Sequence, residues 1–188
     1  MALTTLDRNS ALLVVDLQNA IVALETAHPA PDVVQRAAEL AKAFRRHGLP
    51  VVLVRAAGQP PGRTEQQFRS GGPMPERPME FADALDQQPG DHLVTKRARS
   101  AFTGTGLLDH LRQLGVTQVV LAGIATSIAV ESSARVAFDE GFNVTFAVDA
   151  MTDLSAEAHQ NSLTRIFPGL GETGSTAEVI DLLDRTRC

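Results

Sequence analysis

Asp16, Lys96 and the segment Gly123–Ser133 are the residues whose types and spacing fit chemistry. Asp16 directly follows the apolar run Ala11–Val15 (ALLVV). A carboxyl leaving a strand at that point is partly desolvated, which raises its pKa and suits it to carry a proton. The same residue type also serves as a plain turn or cap after a strand. Lys96 follows His92–Thr95 (HLVT) in the same way. An ammonium there can fix an anion or hold a carboxylate ionised, although by itself it also reads as a solvated basic turn. The third element runs Leu121-Ala122-Gly123-Ile124-Ala125-Thr126-Ser127-Ile128-Ala129-Val130-Glu131-Ser132-Ser133-Ala134-Arg135. It has the form of a strand, a tight small-residue turn and a helix start. Amides at a helix start are a ready anion or oxyanion site, and Ala129 leaves room beside them. An ordinary strand-to-helix turn has the same form.

These residues need a scaffold that brings strand ends together. Apolar runs at Ala11–Val15, Val51–Val54, His92–Thr95, Val119–Ala122 and Val144–Val148 predict strands buried on both faces, with a short further strand near Gly171–Ser175. Helical patterns lie between them. Residues Val33, Val34, Ala37, Leu40, Ala41 and Phe44 form one stripe within Asp32–His47, which starts at Asp32 as cap or first-turn residue and stops at Gly48. Further helices are predicted at Thr105–Leu114, Thr126–Glu140, Ser155–Phe167 and Thr176–Asp184. Strands alternating with helices predict a three-layer α/β sandwich with right-handed crossovers. Residues 1–188 read as one domain. Ala56–Pro78 breaks the rhythm, being rich in Gly, Pro and Arg. A long irregular segment leaving the carboxyl edge of a sheet predicts a lid or pocket wall, here spanning about residues 56–80.

Composition excludes several classes. With 188 residues, 44% of them hydrophobic and 21% charged, the chain reads as folded and large enough for one core. A net charge of −5 gives no support to nucleic-acid or anionic-membrane partners. Cys188 is the single cysteine, so an internal disulfide and a Cys-rich zinc site are excluded, and a reducing cytoplasm is the expected location. Residues 1–10 lack a signal-peptide pattern, and no apolar stretch approaches the ~18 residues of a membrane helix. Trp and Tyr are absent, which leaves Phe and His as the aromatic contacts.

Accessory roles can be assigned around this core of candidates. Arg97 and Arg99, with Arg63 and Arg69 of the irregular segment, are able to bind a carboxylate through forked hydrogen bonds; singly, each also reads as part of a solvated basic face. Gln18 and Asn19 follow Asp16 and are placed to orient substrate or water. Phe102 is a candidate pocket wall or core residue. His28, His47, His92, His110 and His159 show no metal-ligand spacing and read as surface or capping residues. No metal and no organic cofactor is expected.

Three ordered motifs together resemble one family. They are Asp16 at the end of the first strand, Lys96-x-x-x-Ser100-Ala101-Phe102 after the third, and Gly123-Ile-Ala-Thr-Ser-Ile-x-Val-Glu-Ser-Ser-Ala-Arg135 after the fourth. The chain is similar, from about residue 10 to 180, to the isochorismatase-like (cysteine) hydrolases. The resemblance implies a Rossmann-like sandwich around a six-stranded parallel sheet. It implies an Asp-Lys-Cys triad matching Asp16, Lys96 and position 129. It implies a cis peptide at Ile124–Ala125 that helps aim the amides of Ala125 and Ala129 at a substrate oxygen. It implies a homo-oligomer, a dimer or tetramer.

The chain departs from the pattern at position 129, which is Ala. Without a thiolate, a thioester route to amide cleavage is closed. Isochorismate-cleaving members of the family also lack the cysteine. In them a carboxylic acid protonates a vinyl ether carbon and water attacks the resulting cation. The aromatic residues those members carry near the lysine and in the turn are replaced here by Arg97, Arg99 and Ala125. The Asp-x-His…His cluster of zinc-dependent relatives is missing from Ala56–Pro78. The leading expectation is a hydrolase of a small polar metabolite. The alternatives are a C–N cysteine hydrolase with a Cys-to-Ala change at 129, and a catalytically silent binding protein.

Overall fold

The computed structural model describes residues 3–65 and 76–186; Arg69 and Cys188 lie outside them. Six strands form one parallel sheet: β1 (Ser10–Val15), β2 (Val51–Ala56), β3 (His92–Lys96), β4 (Gln118–Ile124), β5 (Asn143–Thr152) and β6 (Glu172–Gly174). Their order is β3-β2-β1-β4-β5-β6, so the chain reverses its direction of travel across the sheet between β1 and β4. The carboxyl side of such a reversal opens a crevice where ligands of α/β sheets bind.

Alternation along each strand builds the three layers. On β1, Leu12 and Val14 face one way and pack with Val33, Ala37, Leu40 and Phe44 of α2 (Ala30–Arg46) and with Val179 and Leu183 of α6 (Thr176–Thr186). Ala11, Leu13 and Val15 face the other way. They pack with Leu107 and Leu111 of α3 (Leu107–Gln113) and Ala134 and Ala137 of α4 (Glu131–Asp139). The fully buried Val and Leu side chains of this sheet each contribute about 1.5–3 kcal/mol.

Six local features differ from the sequence pattern. Helix α2 starts at Ala30, with Pro31 in its first turn and Asp32 a first-turn acid. Helix α3 starts only at Leu107, because Gly106 sits at φ 75°, outside helical geometry. Strand β5 runs past Asp149 to Thr152. The β4–β5 register shifts between Leu121 and Gly123, and Asp149 turns outward to accept the Thr176 N–H at 2.7 Å, capping α6. The predicted helix Thr126–Glu140 is a π-helical turn, Thr126–Val130, leading into α4. Likewise Ser155–Phe167 resolves into α5 (Ala156–Asn161), a second π-helical turn and a 3-10 turn through Pro168. A short helix α1 (Asn19–Val22) follows β1, where the sequence pattern gives none. No described helix is long and apolar enough to cross a membrane.

Candidate active site

Parallel pairing aligns the strand ends. Val15 is level with Val54 and Gly123, and Ala56 with Lys96, so β1, β2, β3 and β4 all deliver their next residues to one edge. Gly123 makes this possible. Its φ is 134°, and a Cβ there would stand 2.0 Å from the Val15 carbonyl oxygen, so only glycine lets β1 and β4 close at this level.

Asp16 takes a left-handed backbone conformation, φ 57°, an uncommon one for a residue with a Cβ and one Asp tolerates better than most. Its N–H continues the ladder to the Val54 carbonyl at 2.8 Å while its side chain turns into the crevice. Lys96 ends β3, and its Nζ lies 2.8 Å from Asp16 Oδ2 and 3.2 Å from the Ala98 carbonyl. Both residues are buried, at 5% and 3% exposure. Asp16 Oδ1 has no hydrogen-bond partner, the one buried side-chain polar atom so placed among the described residues. Burial pushes the Asp16 carboxyl up to about 6, against the pull of the Lys96 charge in the opposite direction. A buried carboxyl with a free oxygen and a pKa near neutrality is suited to proton transfer.

Across the crevice, the Ile124–Ala125 peptide is cis, as the family resemblance implies. The Ala125 carbonyl then accepts three amides: Ile128 at 3.1 Å, Ala129 at 3.0 Å and Val130 at 3.2 Å. The Ala129 N–H, expected to face substrate, is therefore engaged within the turn. A carbonyl has two lone pairs, so three donors on one oxygen leave at least one weakly held.

A cavity of about 340 Å³ lies between these parts, lined by Asp16, Lys96, Ile124, Ala125 and Ala129. Its apolar wall comes from Ile21, Leu24, Ile128 and Leu154, and its outer rim from Gly58, Gln59, Pro60 and Arg99. Ala129 thus lines the same cavity as the Asp16–Lys96 pair, with a methyl side chain.

Several predicted contacts fall elsewhere. Gln18 is buried and clasps the chain: its Oε1 accepts the Ala56 N–H at 2.7 Å, and its Nε2 donates to the carbonyls of Ala56 and Pro78 at 3.2 and 3.1 Å. It does not line the cavity, because both ends of its amide are used to join β2 to the returning loop. Asn19 donates its backbone N–H to Glu80 at 2.8 Å and lies off the cavity wall as well. Arg97 points along β2, donating to the Ala57 carbonyl at 3.2 Å. Phe102 is a core residue stacked near Phe142, with ring centroids 6.3 Å apart. Arg99 alone of the predicted arginines reaches the rim, exposed and unpaired among the described residues. Arg63 is exposed and off the cavity.

The turn is held by residues absent from the sequence-based set. Asp153, the residue after β5, accepts the Ser127 N–H on Oδ2 at 2.6 Å. His159 of α5 is buried, contrary to its reading as a surface or capping residue, and its Nδ1 lies 2.8 Å from Thr126 Oγ1. Ser133 donates to the Ala129 carbonyl at 2.7 Å and accepts the Ala101 N–H at 2.9 Å, joining α4 to the segment after Lys96. Asp153 does carry a sequence signal, the same acid-after-strand position as Asp16, hidden because β5 extends beyond Val148. Among the described residues, no group of three or more His, Cys, Asp or Glu side chains gathers to hold a metal.

Comparison with known proteins agrees with this geometry. The family model for the isochorismatase domain matches residues 10–178. The isochorismatase family protein YecD of Escherichia coli O157:H7 is 38% identical over 182 residues, covering 94% of this chain and 97% of its own length. The structure of an isochorismatase family protein from Burkholderia thailandensis superposes with a TM-score of 0.89 at 41% identity, over 96% of this chain and 98% of that one. Maleamate amidohydrolase of Pseudomonas putida is 29% identical over 94% of this chain and 87% of its own length. Matched by the family model over residues 10–178 and by relatives almost end to end, the chain belongs to the isochorismatase family of hydrolases.

Proposed function

We propose that this chain hydrolyses a small carboxylate-bearing vinyl ether of the isochorismate type, with Asp16 as the acid and no covalent intermediate. The observation that carries the reading is Asp16 itself, buried, paired through one oxygen to Lys96 and unpartnered at the other. In the proposed step the Asp16 proton passes to the terminal alkene carbon. The C=C electron pair forms the new C–H bond, and the ether oxygen stabilises the resulting cation. Water adds to the oxygen-bearing cationic carbon and gives up a proton to the Asp16 carboxylate, which restores the acid, and the resulting hemiketal collapses to an alcohol and a ketone. Lys96 holds the carboxyl in place and faces the oxygen side of the substrate. Ala125 supplies a backbone amide for a negatively charged substrate oxygen, and Ala129 becomes a second donor when substrate draws its N–H from the crowded Ala125 carbonyl. Arg99 receives a substrate carboxylate. Gly58–Pro60, at the start of the predicted lid 56–80, form the outer wall; residues 66–75 of that lid lie outside the described residues.

The reading includes a homo-oligomer, dimer or tetramer, working in the cytoplasm without metal or organic cofactor; light scattering of the purified protein tests the assembly. The deciding experiment compares the chain with Asp16→Asn on isochorismate and on a panel of small amides. Isochorismate turnover that disappears in the Asn variant supports the proposal. Inertness toward isochorismate, with amide turnover gained by Ala129→Cys, replaces it with a C–N hydrolase lacking its nucleophile. Inertness of both forms, with tight ligand binding, leaves a binding protein.

A further inference from the structure

The turn Ala125–Val130 is gripped from outside the cavity by two buried side chains, Asp153 just after β5 and His159 on α5. Asp153, 2% exposed, takes the Ser127 N–H at 2.6 Å on one carboxylate oxygen and the Ser155 N–H at 3.3 Å on the other. The first contact is shorter than a typical N–H···O hydrogen bond. His159, 6% exposed, meets the hydroxyl of the fully buried Thr126 at 2.8 Å. Thr126 and Ser127 are the two residues directly after the cis-linked Ala125.

The same connection reaches the opposite wall. The Asp153 carbonyl accepts the Ala27 N–H at 2.8 Å, and the His28 backbone N–H donates to Thr152 Oγ1 at 3.0 Å. The His28 and His159 rings lie 4.7 Å apart. Leu24 and Leu154, three and one residues from these contacts, line the cavity. One polar cluster, buried at Thr126, Thr152, Asp153 and His159 and exposed at His28, therefore ties the turn, the α1–α2 connection and the end of β5 to each other, without any of these side chains lining the cavity.

We propose that Asp153 and His159 are positioning residues that fix the charge-binding turn against the Asp16–Lys96 pair. This rests on the reading of Ala125–Val130 as the part that meets substrate charge. Removing the Asp153 carboxylate frees the Ser127 amide and lets the turn drift, and a misplacement of about 1 Å near reacting atoms costs up to about 100-fold in rate.

The test uses Asp153→Ala, Asp153→Asn and His159→Leu in the full chain. Amide hydrogen exchange at Ser127–Val130 is expected to rise about tenfold or more in Asp153→Ala, with Val119–Leu121 of the neighbouring strand unchanged. On isochorismate, kcat falls about 10- to 100-fold with KM nearly constant. Asp153→Asn, which keeps an oxygen acceptor for Ser127, recovers part of both. Should Asp153→Ala fold poorly, His159→Leu carries the same two readouts. Unchanged exchange at the turn, or a lower Tm with kcat intact, overturns the proposal. A wild-type chain inert toward isochorismate overturns the proposed reaction instead, and the exchange comparison still decides the positioning role.

Discussion

Lys96 Nζ lies 2.8 Å from Asp16 Oδ2 although a whole strand, β2, separates the strands that carry them. Strands two apart in a sheet are separated by roughly 9–10 Å, so only a side chain as long as lysine closes that gap from a strand end. Ala56, the β2 residue level with Lys96, lines the same cavity as the pair. The ion pair gives the acid its place and moderates its pKa, and each prediction below perturbs some part of that arrangement.

The rate should fall as pH rises. A general acid acts while protonated, and Asp16 loses its proton at about 6. The expected profile of kcat/KM on isochorismate is a plateau on the acid side and a decline through that value. A rise through the same pH indicates Asp16 acting as a base.

Lys96→Met should move that decline to higher pH. The lysine charge lowers the Asp16 pKa against the effect of burial, so its removal leaves desolvation unopposed. The pH–rate profile of the variant checks this, and a decline that stays in place contradicts the coupling.

The same titration enters stability. Asp16 has its pKa raised from 3.8 to about 6 in the fold, so the folded state binds the extra proton between those values. The stabilisation is full below the lower value and is lost as pH rises through the upper one, by on the order of 3 kcal/mol. Urea unfolding across this window should show the chain weakening toward neutral pH and Asp16→Asn keeping a flatter course.

Arg99→Ala should raise KM for a carboxylate substrate with little change in kcat. A hydrogen bond to a charged group contributes about 1.5–3 kcal/mol, or roughly 10- to 100-fold. Steady-state kinetics with the acid and its neutral methyl ester test it, because the ester should be nearly indifferent to the substitution.

Gly123→Ala should destabilise by about 3 kcal/mol or more. Its Cβ meets backbone, the Val15 carbonyl at 2.0 Å, and the φ of 134° disfavours any side chain. Thermal melting reads the effect, and a variant within 1 °C of the parent (about 0.3 kcal/mol or less) shows that β1 and β4 can separate at no cost.

The sequence made the scaffold legible because strands buried on both faces are written as runs such as ALLVV and VVLA, which fall within β1 and β4. Asp16 and Lys96 were legible for a related reason, as charges standing directly at the ends of such runs. Gln18 and Phe102 show the limit of that reasoning. Proximity in sequence to a catalytic candidate says nothing about which way a side chain turns, and both turned toward structure, one to clasp Ala56 and the other to the core. Asp153 and His159 depend on where β5 ends and how α5 docks, and these are set by a register shift that no local pattern encodes.

The methyl group of Ala129 has a consequence for how this chain endures its surroundings. Thiolate hydrolases are silenced by peroxide and by alkylating reagents, which climb the sulfur from sulfenic to sulfonic acid or cap it. The lining described for this cavity holds neither Cys nor Met. Under the proposed mechanism its reacting groups are a carboxyl and an ammonium, which those agents leave intact, so oxidative stress that stops a cysteine-dependent relative leaves this centre working.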